Sequence, residues 1–145
     1  MPGRLRADGG FTLIEVVVAL AIIGLVAAVA VPALARRLDA AYRAADLAQV
    51  VGSARLLPVR AAAMGAELKL DASGLIRPMA DGQPPMDLPP GWTLVPQDPP
   101  PRLGRAGSCT EGSLLLTAPT PVRTWRLHFG ALSCELQVTE LGGGS

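Results

Sequence analysis

The sequence is short of the residues most often used for chemistry or for reading nucleic acid. Aromatic side chains make up 3% of its 145 residues (two Phe, two Trp, one Tyr), so few rings are available to stack on bases. It has one histidine, His128, and two cysteines, Cys109 and Cys134. Three potential ligands are one short of a closed structural zinc site, and they lack its close pairing. Charge of one sign is not in excess. Setting aside Arg4, Arg6 and Asp8 from the 13 basic and 12 acidic residues leaves 11 of each. That balance argues against nucleic acid or an anionic surface as partner. Ser108, Ser113 and Ser133 sit in no G-x-S-x-G elbow, and no glycine-rich phosphate loop follows a strand pattern. His128 is expected on the polar face of a strand, as a surface histidine. The residues therefore point away from an enzyme and predict no cofactor, no metal and no small-molecule substrate.

What is abundant is apolar sequence near the N-terminus. Phe11 to Leu34 is 24 residues interrupted by one charge, Glu15. A helix of that length covers roughly 36 Å, enough to cross a hydrocarbon core with some tilt. The run is too long for the apolar core of a cleaved secretory signal. A carboxylate inside it marks a functional site whose partner must be named. No lysine or arginine lies between Phe11 and Pro32. The partner must therefore come from another chain or from a chain terminus.

The short basic leader, Gly10, and the "FTLIE" that follows resemble the processing site of type IV prepilins and of type II secretion pseudopilins. Gly24 and Pro32 fall where helices of that family commonly carry a loosening glycine and proline. The resemblance implies cleavage between Gly10 and Phe11 by a prepilin peptidase, and N-methylation of Phe11. It implies that Glu15 of one subunit pairs with the Phe11 amine of its neighbour in a filament. The implied partners are other pseudopilins or pilins, the prepilin peptidase and an inner-membrane assembly platform. Arg4 and Arg6 favour a cytoplasmic leader, whereas Arg36, Arg37 and Arg43 oppose it by count. With the cleavage motif decisive, the expectation is a single-pass inner-membrane protein whose C-terminal domain is periplasmic. Major pseudopilins carry calcium in an acid-rich loop; the acids here are scattered, so no metal is expected. In an exported domain the two cysteines read as a disulfide, the alternative being two unrelated buried thiols.

From Ala33 to Leu57, apolar residues recur every three or four positions, so the helix is expected to continue. It would be roughly 70 Å long, with Pro58 ending or kinking it and Gly65 stopping any further turn. Beyond it, "ELKL", "DASG" and "LIRP" suggest a hairpin. Nine prolines between Pro78 and Pro101 make an irregular loop with one strand at "WTLV". "SLLLTA", "VRTWRLHF" and "LSCELQVTE" are strand candidates, the last two joined at Gly130–Ala131. Leu132, Cys134, Leu136 and Val138 would share one face. The expected organisation is a leader 1–10, a polymerisation helix 11–34, its amphipathic continuation 35–64, a periplasmic β-sheet domain 65–141 with the Pro-rich loop 78–101, and a disordered tail 142–145. The fold class is α+β: a long N-terminal membrane-spanning helix packed on a small antiparallel sheet, pilin-like.

"SARLLPVRAAAMGAELKL" resembles the helix-to-strand passage of H-type minor pseudopilins of the type II secretion system. The function this implies is a minor subunit of the periplasmic pseudopilus that drives protein export. The alternatives are a minor type IV pilin, for pilus assembly, adhesion or DNA uptake, and a membrane-tethered periplasmic binding module.

Overall fold

The computed structural model describes residues 10–143; the leader expected at 1–10 lies outside them except for Gly10. Contacts divide the chain into two units, Met1–Arg43 and Ala44–Ser145, and each is described by itself. Helix α1 runs over Leu13–Ala63. From Leu13 to Leu34 it is apolar but for Glu15, and every residue there is exposed, with no packing partner among the described residues of that unit.

In the second unit, α1 lays Val50, Ala54, Leu57 and Ala61 into the core. The spacing of four, three and four is one face of a helix. Pro58 does not end the helix; it continues to Ala63 with Pro58 buried inside it. An interior proline costs about 3 kcal/mol. Burying its ring beside fully buried Leu57 and Ala61 offsets that cost. Gly65 ends the helix with φ +60°. Ala66 N–H donates to the Ala61 carbonyl and Gly65 N–H to that of Ala62, both at 3.0 Å. This is a Schellman stop, and its left-handed residue is cheap only as glycine.

Two antiparallel sheets complete the unit. The first orders β1 (Leu68–Lys69), β3 (Arg102–Leu103) and β4 (Cys109–Thr110). The second orders β2 (Thr93–Pro96), β5 (Gly112–Pro119), β6 (Val122–Phe129) and β7 (Leu136–Gly143). Leu114 stands opposite Leu127, and Leu116 opposite Trp125. With Phe129, these residues face α1's buried stripe through one continuous core. Trp92 stacks on Trp125 with ring centroids 5.6 Å apart. The α+β architecture, a long apolar N-terminal helix followed by antiparallel sheets, is as the sequence pattern indicated.

Three local expectations are corrected. "ELKL" does not pair with "LIRP": β1 pairs with β3 instead, Leu68 opposite Leu103. The intervening "DASGLI" is a short helix, α2 (Ala72–Ile76), capped by the Asp71 side chain. Asp71 Oδ1 accepts from Ser73 N–H and Gly74 N–H, a local alternative to the β-turn that aspartate and serine readily supply. The last two long strands are joined by residues 130–135. Within that connection, Leu132 (φ +66°) and Cys134 (φ +55°) are left-handed. Leu132 is consequently 81% exposed and does not share a buried strand face with Leu136 and Val138. Finally, the tail expected from 142 is strand as far as Gly143, which stands opposite Arg123.

The Pro-rich loop is irregular but packed. Pro85, Met86, Trp92 and Pro101 are buried. Arg60 of α1 holds the loop by donating to the Pro84 and Pro85 carbonyls at 3.4 and 3.1 Å and to Asp81 Oδ2 at 2.8 Å.

Candidate processing and assembly segment

Gly10 and Phe11 precede α1 and lie in no regular element. Phe11 is 81% exposed. The Gly10–Phe11 peptide bond therefore stands clear of helical hydrogen bonding and within reach of a protease. Among the described residues, a Cβ placed on Gly10 would meet nothing within 4 Å, so packing among them does not require glycine there.

Thr12 caps α1. Glu15 N–H donates to the Thr12 carbonyl at 3.0 Å and to Thr12 Oγ1 at 3.4 Å. Thr12-Leu13-Ile14-Glu15 has the spacing of a capping box, with glutamate at the third helical position. That signal was present in the sequence and is additional to the processing motif. It gives Glu15 a favourable place near the positive end of the helix dipole. Among the described residues, no side-chain donor reaches the Glu15 carboxylate.

Gly24 and Pro32 both lie within α1. Nothing lies within 4 Å of a Cβ built on Gly24, so its cost in helix propensity, about 1 kcal/mol relative to Ala, has no packing reason among the described residues. Pro32 removes the N–H that would bond the Ala28 carbonyl. From Phe11 to Leu34 the large apolar side chains are exposed, a surface that demands lipid or other chains to cover it.

At the other end of the second unit, Cys109 and Cys134 form a disulfide with Cα atoms 5.2 Å apart. It ties β4 of the first sheet to the 130–135 connection of the second. The left-handed turn there is also held by Leu132 N–H donating to the Cys109 carbonyl at 3.0 Å.

His128 is half-buried and has neighbours that linear proximity did not reveal. Ser113 Oγ lies 2.9 Å from His128 Nδ1, and Glu111 Oε1 lies 3.5 Å from Nε2. They border an open cleft of about 290 Å³ with Gln97 and Asp98. Ser113 and His128 are direct cross-strand partners, so sheet pairing itself accounts for their contact.

Residues 5–31 match the family described as the prokaryotic N-terminal methylation motif. The match covers Arg6, Gly10, Phe11, Glu15 and Gly24, begins one residue after Arg4, and stops one residue before Pro32. Such a motif implies processing by a prepilin peptidase and assembly with other pilin-like chains. No curated protein and no solved structure matches the chain.

Proposed function

We propose that this chain is a minor pseudopilin of the type II secretion system, a non-enzymatic subunit of a periplasmic pseudopilus that drives protein export. The observation that carries the reading is the first turn of α1. An exposed bond at Gly10–Phe11 is followed four residues later by a carboxylate without a side-chain partner among the described residues, at the head of an uncovered apolar helix. Cleavage by prepilin peptidase creates an amine at Phe11, which is then methylated. Glu15 of one subunit pairs with that amine on a neighbour. Pairing satisfies two charges that are expensive to bury singly, and it fixes axial register.

Gly24 and Pro32 provide the loose section of helix that lets the subunit pass from bilayer to filament. The assembly platform of the inner membrane is the expected partner for that step. The domain from Ala44 onward lies in the periplasm, an oxidising compartment that suits the Cys109–Cys134 disulfide.

The test is complementation. In a strain lacking its own copy, the wild-type chain restores export of the secreted substrate and Glu15→Ala does not. Restoration of surface pili without export would assign the chain to type IV pili instead. Equal activity of Glu15→Ala and wild type would remove the assembly role.

A further inference from the structure

The two sulfurs of the Cys109–Cys134 bridge are not equally reachable. Cys109 is 6% exposed and belongs to the core. Cys134 is half-buried and packs against that core from outside. It lines an open groove of about 510 Å³ between the last turns of α1 and the turns at Gly107 and Ser133. Cys109 is not among the residues that line it. Cys134 Sγ lies 3.1 Å from the carbonyl oxygen of Gly107, itself a wall of the groove. The α1 wall is apolar, made of Pro58, Val59 and two alanines, and it carries one charge, Arg55. Arg55 is exposed and makes no ion pair among the described residues. No carboxylate lines the groove.

This asymmetry suits thiol–disulfide exchange at one sulfur. The attacking species is a thiolate, and its access to each sulfur decides which one it meets. A cation at the groove raises the local concentration of an anionic thiolate, and a cation near a cysteine favours its ionised form. The apolar wall can cover the side chains that flank a thiol carried by a protein. Cys109 has neither the access nor the charge.

We propose that Cys134 Sγ is the sulfur through which this bridge exchanges with a dithiol–disulfide oxidoreductase, whose active-site segment occupies the groove. In the forming direction, the Cys134 thiolate attacks the enzyme's disulfide. A bond forms between Cys134 and one enzyme sulfur, the enzyme's own S–S bond breaks, and its other sulfur leaves as a thiolate. The Cys109 thiolate then attacks Cys134 Sγ, closing the bridge and expelling the first enzyme sulfur as a thiolate. Two thiols of the chain are oxidised, one disulfide of the enzyme is reduced to a dithiol, and the two protons pass from the former to the latter through solvent. The reverse sequence opens the bridge, again through Cys134. All the residues involved lie in the second unit, so the exchange does not depend on Glu15.

The test uses the full oxidised chain in detergent, with reduced glutathione as the probe thiol. Exchange is quenched with acid, free thiols are blocked, and the chain is cut with trypsin. Cys109 and Cys134 then lie on separate peptides, 106–123 and 127–145. Glutathione is expected on Cys134 in about tenfold excess over Cys109. A reduced oxidoreductase whose second active-site cysteine is serine is expected to be captured on the same peptide. Arg55→Glu should slow exchange about fivefold with glutathione, whose thiolate form is a dianion. It should slow exchange less with cysteamine, whose thiolate form has no net charge; a merely structural effect of the substitution would act on both thiols alike.

Glutathione in equal yield on both cysteines, or the enzyme linked through Cys109, would overturn the proposal. So would exchange that appears only at urea concentrations that unfold the domain, or equal slowing of the two thiols by Arg55→Glu. Glutathione on Cys134 with no enzyme captured would overturn the oxidoreductase as the partner.

Discussion

At the scale of single residues, the same side-chain chemistry serves opposite ends. Arg60 converts a proline-rich segment, poor in backbone donors, into a fixed strap by supplying three donor contacts to Pro84, Pro85 and Asp81. Its guanidinium holds the Asp81 carboxyl below the ordinary value of 3.8, and Ser73, Gly74 and Lys69 hold Asp71 below that value too. A carboxylate whose folded pKa is depressed adds stability that is complete above its unfolded pKa and is lost as pH falls through the folded one. The contribution of these two carboxylates is therefore expected to be complete down to about pH 4 and to fall away progressively below that. Arg60→Ala should flatten this acid limb in a pH series of urea melts. An acid limb unchanged by Arg60→Ala would mean that the strap is held by packing alone. In the core, Leu127 is fully buried, and Leu127→Ala is expected to cost about 2–5 kcal/mol in the same melts.

At the scale of elements, the parts legible in the sequence were those governed by periodicity. The uniform apolar run, the continuation through Val50, Ala54 and Leu57, and the alternation in "TWRLHF" each carry their period over several residues. What the sequence concealed was decided by non-local partners. Leu68 and Leu103 are 35 positions apart, and nothing near "ELKL" announces that pairing. Pro58 is a helix breaker by propensity, and only the core it enters keeps it in α1. Leu132 and Cys134 look like strand residues until the disulfide and the Cys109 carbonyl pull the chain into a left-handed turn.

The site was legible in a different way. Gly10, Phe11 and Glu15 are visible as a linear motif, and the stretch from Thr12 to Glu15 carries a capping signal as well. Two predictions belong at this scale. Replacing both cysteines by serine should lower stability by about 3 kcal/mol, since the bridge closes a loop of 25 residues; unfolding with and without reductant measures it. Gly24→Ala should raise α1's intrinsic stability by about 1 kcal/mol without a clash. If Gly24 serves extraction from the bilayer, filament entry should fall in that variant while circular dichroism shows no loss of helix.

At the scale of the whole molecule, an exposed apolar helix and a packed α+β domain have different requirements. The domain satisfies its own core and leaves no buried side-chain nitrogen or oxygen without a partner among the described residues. The part of α1 from Leu13 to Leu34 finds no such cover among the described residues: its apolar surface and the Glu15 carboxylate are left to something else. That contrast is what a subunit requires, and it fits the methylation motif matched over residues 5–31. The central claim is that the chain becomes competent for assembly by cleavage ahead of Phe11. Mass spectrometry of the N-terminal peptide, taken from membranes that contain prepilin peptidase, tests this most directly. The account predicts a mature terminus at Phe11 bearing a methylated amine. A terminus at Met1, or one created beyond Leu34, would contradict it.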